Sequence, residues 1–219
     1  VTYPQVAADS VPWLTVDQMV EADRLAVETF GIGLLQMMEH AGSALADVVM
    51  TTQPDGAVVV LAGGGNNGGG GLCAARHLLN RGRTVSVVVA TERLGGAAEH
   101  HLRTLQSMGT APHDEPPDVP VVVDAMVGYG LKGPLRGRSS ELAAWAVGRV
   151  IVSLDFPSGH GYEGAVEPTA TLTLALPKDG LQDVRPLYVA DLGLPSSLWA
   201  AMGLDVGAVF RSGRIVEIG

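Results

Sequence analysis

The segment Gly63-Gly64-Gly65-Asn66-Asn67-Gly68-Gly69-Gly70-Gly71 constrains this chain more than any other feature. It follows Ala57–Ala62, a continuous apolar run rich in β-branched residues, which reads as a strand buried on both faces. A helical pattern from about Leu72 to Asn80 comes next, stopped by Gly82. Strand, glycine segment and helix in that order form an anion-site candidate. Glycines let the backbone approach a phosphate, and the helix N-terminus offers free N–H groups at the positive end of its dipole. Gly63, Gly65 and Gly68 also satisfy G-x-G-x-x-G, and Glu92 lies near the end of the next strand, which is the outline of a dinucleotide-binding dehydrogenase. The Asn66-Asn67 pair is foreign to that outline. Its amides can ligate a hard cation or hydrogen-bond a ligand.

Strands and helices alternate through the rest of the chain. Strands are expected at Thr84–Ala90, Val119–Val123, Val150–Leu154, Ala170–Leu176 and Pro186–Leu192. Helices are expected at Ala97–Met108, Ser139–Val147 and Ser196–Met202. Ahead of the first strand, Thr15 and Gln18 have capping-box spacing for a helix over Val16–Thr29, and a second helix reads Leu34–Met50. This order predicts an α/β fold, a Rossmann-like three-layer αβα sandwich with a mostly parallel central sheet and two extra N-terminal helices. A chain of 219 residues fits one domain over 1–219, with 1–13 as an extended N-terminal arm.

Composition narrows the function classes. Asp+Glu exceed Lys+Arg by 23 to 14, a formal net charge of −9, which disfavours a basic nucleic-acid surface. No apolar run approaches the roughly 20 residues of a membrane-spanning helix, and the N-terminus lacks a basic-then-apolar signal pattern. Neither a nucleic-acid nor a membrane partner is expected, and a cytoplasmic setting fits. Cys73 is the one cysteine, which excludes an intrachain disulfide and a cysteine-only zinc site. It reads as a small buried apolar residue, and His77 as packing near a helix end. Adjacent His100 and His101 point to different helix faces and do not read as a chelating pair. Met37, Met38 and Met50 read as core or interface filler. Trp13, Leu34 and Leu35 are candidates for a self-association patch.

In open parallel sheets, ligands sit beyond the carboxyl ends of the strands where strand order reverses. Two more strand ends carry unusual residues: Asp124 to Pro134, and Asp155-Phe156-Pro157-Ser158-Gly159. A carboxylate at the end of a buried strand needs a partner. Asp124, Asp155, Asn67 and the Ser158 hydroxyl are hard oxygen donors suited to a monovalent or divalent cation. Lys132 is placed to meet a phosphate or act as an acid.

Together the three segments resemble the YjeF N-terminal family, the NAD(P)H-hydrate epimerases. Gly63 to Leu72 followed by Ala74-Ala75-Arg76-His77-Leu78 is similar to its G-x-G-N-N-G-G-D-G-L and A-A-R-H-L motifs. Asp124 to Leu131 and Ser153 to Gly159 are similar to the second and third motifs. Met38-Glu39-His40-Ala41-Gly42, Pro177-Lys178 and Asp191 to Pro195 extend the similarity. The resemblance implies an isomerase interconverting the R and S hydrates of NADH and NADPH for metabolite repair. It implies a separate nucleotide-dependent dehydratase as functional partner, or a chain cut from a longer bifunctional one, and a homodimer. Asn66, Asn67, Gly68, Gly69 and Gly70 would hold the diphosphate side of the hydrate. Gly128, Tyr129, Gly130, Leu131, Lys132, Gly133 and Pro134 would form another wall. Asn67, Asp124 and Ser158 would bind one potassium ion per subunit. Asp155 would act at the reactive ring and Lys132 beside it.

Three positions depart from the pattern. Gly70 stands where the family has Asp, His40 where it has Asn, and Tyr129 where Thr is frequent. The alternatives are a nucleotide- or anion-binding or scaffold module on the same fold, or an enzyme with a different substrate.

Overall fold

The computed structural model describes residues 2–219. Eight strands form one sheet: β1 (Gln5–Val6), β2 (Val58–Ala62), β3 (Val85–Val89), β4 (Val121–Ala125), β5 (Val150–Leu154), β6 (Ala170–Leu174), β7 (Leu187–Ala190) and β8 (Ile215–Ile218). The helices are α1 (Val16–Glu28), α2 (Leu34–Thr52), α3 (Asn66–Asn80), α4 (Gly96–Ser107), α5 (Gly137–Ala146) and α6 (Ser196–Ala201). Strand order is β1-β8-β7-β6-β5-β4-β2-β3. Strands β2 to β7 run parallel to one another, β8 is antiparallel to β7, and β1 pairs parallel with β8.

The apolar runs supply both faces of the sheet. Val58, Val60 and Ala62 of β2 join the core under α2, α3 and α4. Val59 and Leu61 join the opposite core, which is covered by Leu142, Ala143 and Ala146 of α5. This is the expected three-layer sandwich. Helix α1 and short α6 pack together in a third apolar cluster with Met37 and Ala41 of α2. The expected capping box is present: Thr15 Oγ1 accepts from the Gln18 N–H, and the Gln18 side chain accepts from the Thr15 N–H.

The structure corrects several boundaries. The glycine segment is a loop only through Gly65; helix α3 begins at Asn66 and runs through Gly68–Gly71. The reason is packing. A Cβ on Gly68 would lie 1.8 Å from the Gly63 carbonyl oxygen, so the first turn of the helix rests on the loop that precedes it. The third expected strand is shifted along the chain, and Asp124 lies within β4 rather than after it. Strand β8 and its partner β1 were not expected. With four and two residues, β8 and β1 are too short for periodicity to register. Part of the N-terminal arm is therefore sheet edge.

Candidate functional site

Strand order turns between β2 and β4, since β3 lies on one side of β2 and β4 on the other. At that point the two following loops are tied together by a hydrogen bond from the Gly63 N–H to the Ala125 carbonyl, 3.0 Å. A cavity of about 390 Å³ opens here, over the carboxyl ends of β4, β5 and β6. Its polar wall is Asp23, Asn66, Asn67, Tyr129, Asp155 and Lys178. Met19, Met37, Met38 and Met126 supply much of the apolar wall, so α1 and α2 roof the cavity. Met37 and Met38 are thus cavity wall, and Leu34 lines it with them, whereas Leu35 is 43% exposed.

Asp155 is the group most tightly placed. It leaves β5 with φ 67°, a left-handed conformation unusual for a residue with a side chain. Ala175, just after β6, does the same with φ 65°. Strain of this kind concentrates where a side chain must be aimed at a site. The Asp155 carboxylate is 3% exposed. Its Oδ1 meets Lys178 Nζ at 2.6 Å and the Thr173 hydroxyl at 3.4 Å; its Oδ2 accepts from the Tyr129 N–H at 3.4 Å.

Lys178 was expected only as part of a sequence match, with no role. It is 2% exposed, and its ammonium donates also to Thr173 Oγ1 at 2.9 Å and the Leu174 carbonyl at 2.8 Å. Its backbone is fixed by Leu14: the Leu14 N–H donates to the Pro177 carbonyl, and the Asp179 N–H to that of Leu14. The available signal was a lysine just after a buried strand, followed by Asp179 and Gly180 in a turn. Sequence spacing could not show that its side chain turns inward.

Lys132 is exposed and is not among the residues lining the cavity; nor are Leu131, Gly133 and Pro134. Leu131 instead packs toward the core under α5. Of the expected second wall, Gly128, Tyr129 and Gly130 line the cavity. A Cβ on Gly128 would sit 2.9 Å from Asp155 Oδ2 and 3.3 Å from Asn67 Oδ1. The bare backbone there lets both side chains converge. Of the Asn66–Gly70 segment, Asn66, Asn67 and Gly70 line the cavity, while Gly68 and Gly69 are buried in α3. The first helical bond runs from the Gly69 N–H to the Gly65 carbonyl, leaving the N–H groups of Asn66, Asn67 and Gly68 without helical partners. Glu92 is exposed and outside the cavity wall.

Asp124 is fully buried. It accepts from Ser158 Oγ at 2.6 Å, the Ser158 N–H at 2.8 Å, Ser153 Oγ at 2.9 Å and the Met126 N–H at 3.3 Å. Burial pushes its carboxyl above the ordinary range, against the pull of those hydrogen bonds. The Asp124–Ser158 contact ties the β4 and β5 loops together. Asn67 Nδ2 is buried with no hydrogen-bond partner.

Across the cavity, the Tyr129 hydroxyl donates to Asp23 Oδ2 at 3.1 Å. Burial raises the Asp23 carboxyl above its usual range, offset in part by Tyr129 and Lys178. Burial and the Asp23 charge raise the Tyr129 phenol. Two carboxyl groups thus face one cavity in different surroundings, one paired with an ammonium and one with a phenol.

Comparison with known proteins matches this architecture. Residues 34–180 match the family described as YjeF-related protein N-terminus. The chain is similar to an NAD(P)H-hydrate epimerase of Dehalogenimonas lykanthroporepellens, 39% identical over 94% of this chain and 92% of that protein. It is 34% identical to one of Rhodopirellula baltica, over 86% of this chain and 87% of the relative. The bifunctional NAD(P)H-hydrate repair enzyme Nnr of Methanothermobacter thermautotrophicus is 35% identical over 84% of this chain but only 41% of its own length. In fold, the crystal structure of yeast ynu0 superposes with a TM-score of 0.81 at 24% identity, covering 95% of this chain and all of that one. The matched segment runs from α2 through Lys178, so it contains most of the cavity, and the chain belongs to the YjeF-related N-terminal family.

Proposed function

We propose that this chain is an NAD(P)H-hydrate epimerase. The observation that carries the reading, beyond the relatives, is the buried Asp155–Lys178 pair at the head of a cavity that also presents free helix N–H groups. Those N–H groups suit a diphosphate. The methionine-lined part suits an uncharged ring.

Epimerisation at the hydroxylated ring carbon breaks its C–O bond. The departing hydroxyl takes a proton and leaves as water, while the ring nitrogen's lone pair completes an iminium. Water then adds to the opposite face and gives up a proton. Asp155, aimed at the cavity, is the group that takes that proton and whose charge stabilises the cation. Lys178 touches Asp155 and holds it in place. Asp23, with its raised carboxyl, is the proton donor for departure on the Tyr129 side. Exchange with solvent restores both groups.

The oxygen set of Asn67, Asp124 and Ser158 fits a potassium ion. Asp124 and Ser158 already converge, and an Asn67 amide turned over would present its oxygen where the unpartnered Nδ2 now lies. The ion would add positive charge beside the diphosphate. The loss of the family carboxylate at Gly70 leaves Asp155 untouched. A homodimer, a cytoplasmic setting and a functional link to a nucleotide-dependent dehydratase activity complete the reading. Among the described residues, no helix is long and apolar enough to cross a membrane.

The test is a coupled assay with mixed R and S hydrates, excess S-specific dehydratase with its nucleotide, and potassium. Without epimerase, the R fraction lags. Abolition of that lag is the expected result, and its persistence with folded protein would turn the reading toward a binding module. Asp155→Asn is expected to lower kcat/KM by about 10²–10⁴-fold, the usual range for a lost acid–base group. A wild-type rate in that variant would remove Asp155 from the chemistry.

A further inference from the structure

Outside the cavity, helices α2 and α3 bring Glu39, Cys73 and His77 together, with one ligating atom from each lying within 4.8 Å of the other two. Glu39 Oε2 is 3.4 Å from Cys73 Sγ, and Glu39 Oε1 is 2.8 Å from His77 Nε2. Neighbouring ligands in a tetrahedral zinc shell, with bonds of about 2.0–2.3 Å, are roughly 3.3–3.8 Å apart. The cluster is therefore close to that geometry before any rearrangement. The spacing is set by a tight helix crossing, because a Cβ on Gly42 would lie 2.6 Å from Cys73 Cβ.

A cation already occupies the middle of this cluster. The Arg76 guanidinium reaches Glu39 Oε2 at 2.5 Å, His77 Nε2 at 3.3 Å and Cys73 Sγ at 3.6 Å. Arg76 is partly exposed, so its head can swing to solvent.

We propose that Glu39, Cys73 and His77 form a second site for a divalent cation of the zinc class, with water completing the shell, for which the Arg76 guanidinium substitutes when the metal is absent. One thiolate, one imidazole nitrogen and one carboxylate oxygen form a ligand set that suits zinc and disfavours magnesium or calcium. Binding displaces the Cys73 thiol proton to the buffer and forms the metal–sulfur bond. The metal ties α2 to α3 and strengthens that side of the sandwich. The inference does not depend on the epimerase reading.

The experiment is a titration of metal-free full chain with Co²⁺, followed by the near-ultraviolet thiolate-to-cobalt absorption and by thermal melting. Wild type is expected to show that band at one equivalent, to lose it on adding Zn²⁺, and to melt higher with either metal. Cys73→Ser should abolish the band, and His77→Ala should weaken binding by at least about tenfold. His77→Ala lies near the surface and keeps the test open should Cys73→Ser fold poorly. Arg76→Gln should bind about tenfold tighter, since it removes the competing charge. Absence of the band in both wild type and Arg76→Gln, or its survival in Cys73→Ser, would overturn the proposal.

Discussion

Lys178 and Asp155 stand or fall together. Both are nearly inaccessible, and each is the other's only opposite charge at contact distance among the described residues. Truncating Lys178 to Met would leave a buried carboxylate with Thr173 and one long N–H contact. Breaking a buried pair on one side costs about 3–5 kcal/mol. Lys178→Met is therefore expected to lose that much in urea unfolding, and Lys178→Met with Asp155→Asn less than the sum of the two. Strict additivity would mean that the pair is not coupled. Glycines of α3 make the contrasting case. Gly70 has its added Cβ 2.8 Å from Leu154 Cδ2, the mobile end of a side chain, whereas Gly68 meets backbone. A Gly→Ala change also gains about 0.4–1 kcal/mol from the unfolded state. Gly70→Ala is expected within about 2 kcal/mol of wild type, because overpacking against a movable leucine costs only about 1–3 kcal/mol. Gly68→Ala should cost several times more and shift the melting point accordingly. Equal melting points would refute the packing account of this helix.

At the scale of elements, α1 shows how a helix outside the sheet reaches the chemistry. Its apolar face, with Met19, Ala22 and Ala26 buried, sets the helix over the cavity and carries Asp23 to Tyr129. The raised Asp23 carboxyl has a stability consequence. Its folded pKa lies above the unfolded value, so the native state holds this proton more tightly. The resulting stabilisation is complete below pH ~3.8 and is lost as pH rises through the folded pKa. Asp23→Asn keeps an acceptor for the Tyr129 hydroxyl but cannot ionise. Its urea midpoint should therefore gain on wild type as pH rises from about 3.5 to 7. A constant difference across that range would show that Asp23 titrates normally. Much of this element was legible: the capping box placed α1 to within a residue, and the apolar runs placed β2, β3 and β5. The start of α3 was not, because glycine is read as loop from local preference. The close contact of Gly68 with Gly63 exists only after folding. The partnership of Lys178 with Asp155 was equally hidden. It depends on β5 and β6 being neighbours, which no spacing within either segment reports.

The whole molecule closes at its two termini. Strand β8 reverses direction against β7, and β1 then lies along its outer edge, with Glu217 N–H donating to the Pro4 carbonyl and Gly219 N–H to that of Val6. The arm does more than cover an edge. The Tyr3 hydroxyl donates to Thr51 Oγ1 at the end of α2, and its ring meets Tyr188 edge-on at 5.2 Å. Further along, Val11 is buried against Leu181 and Leu187, and Leu14 then fixes the backbone around Lys178. One segment therefore connects the sheet edge, the roof helix and the proposed active site. Removing residues 2–10 while keeping Val11 to Leu14 would expose the β8 edge and leave the Lys178 anchor in place. The loss of one aromatic pair, one partly buried hydrogen bond and the two backbone bonds to β8 amounts to about 2–6 kcal/mol. For a chain of this size, at about 2–4 °C per kcal/mol, the melting point should fall by about 4–24 °C. Because Leu14 remains, kcat/KM below the melting transition should stay within about threefold of wild type, a change of less than 1 kcal/mol in the barrier. A larger drop in activity would show that the arm orders the cavity through the sheet edge as well as through Leu14.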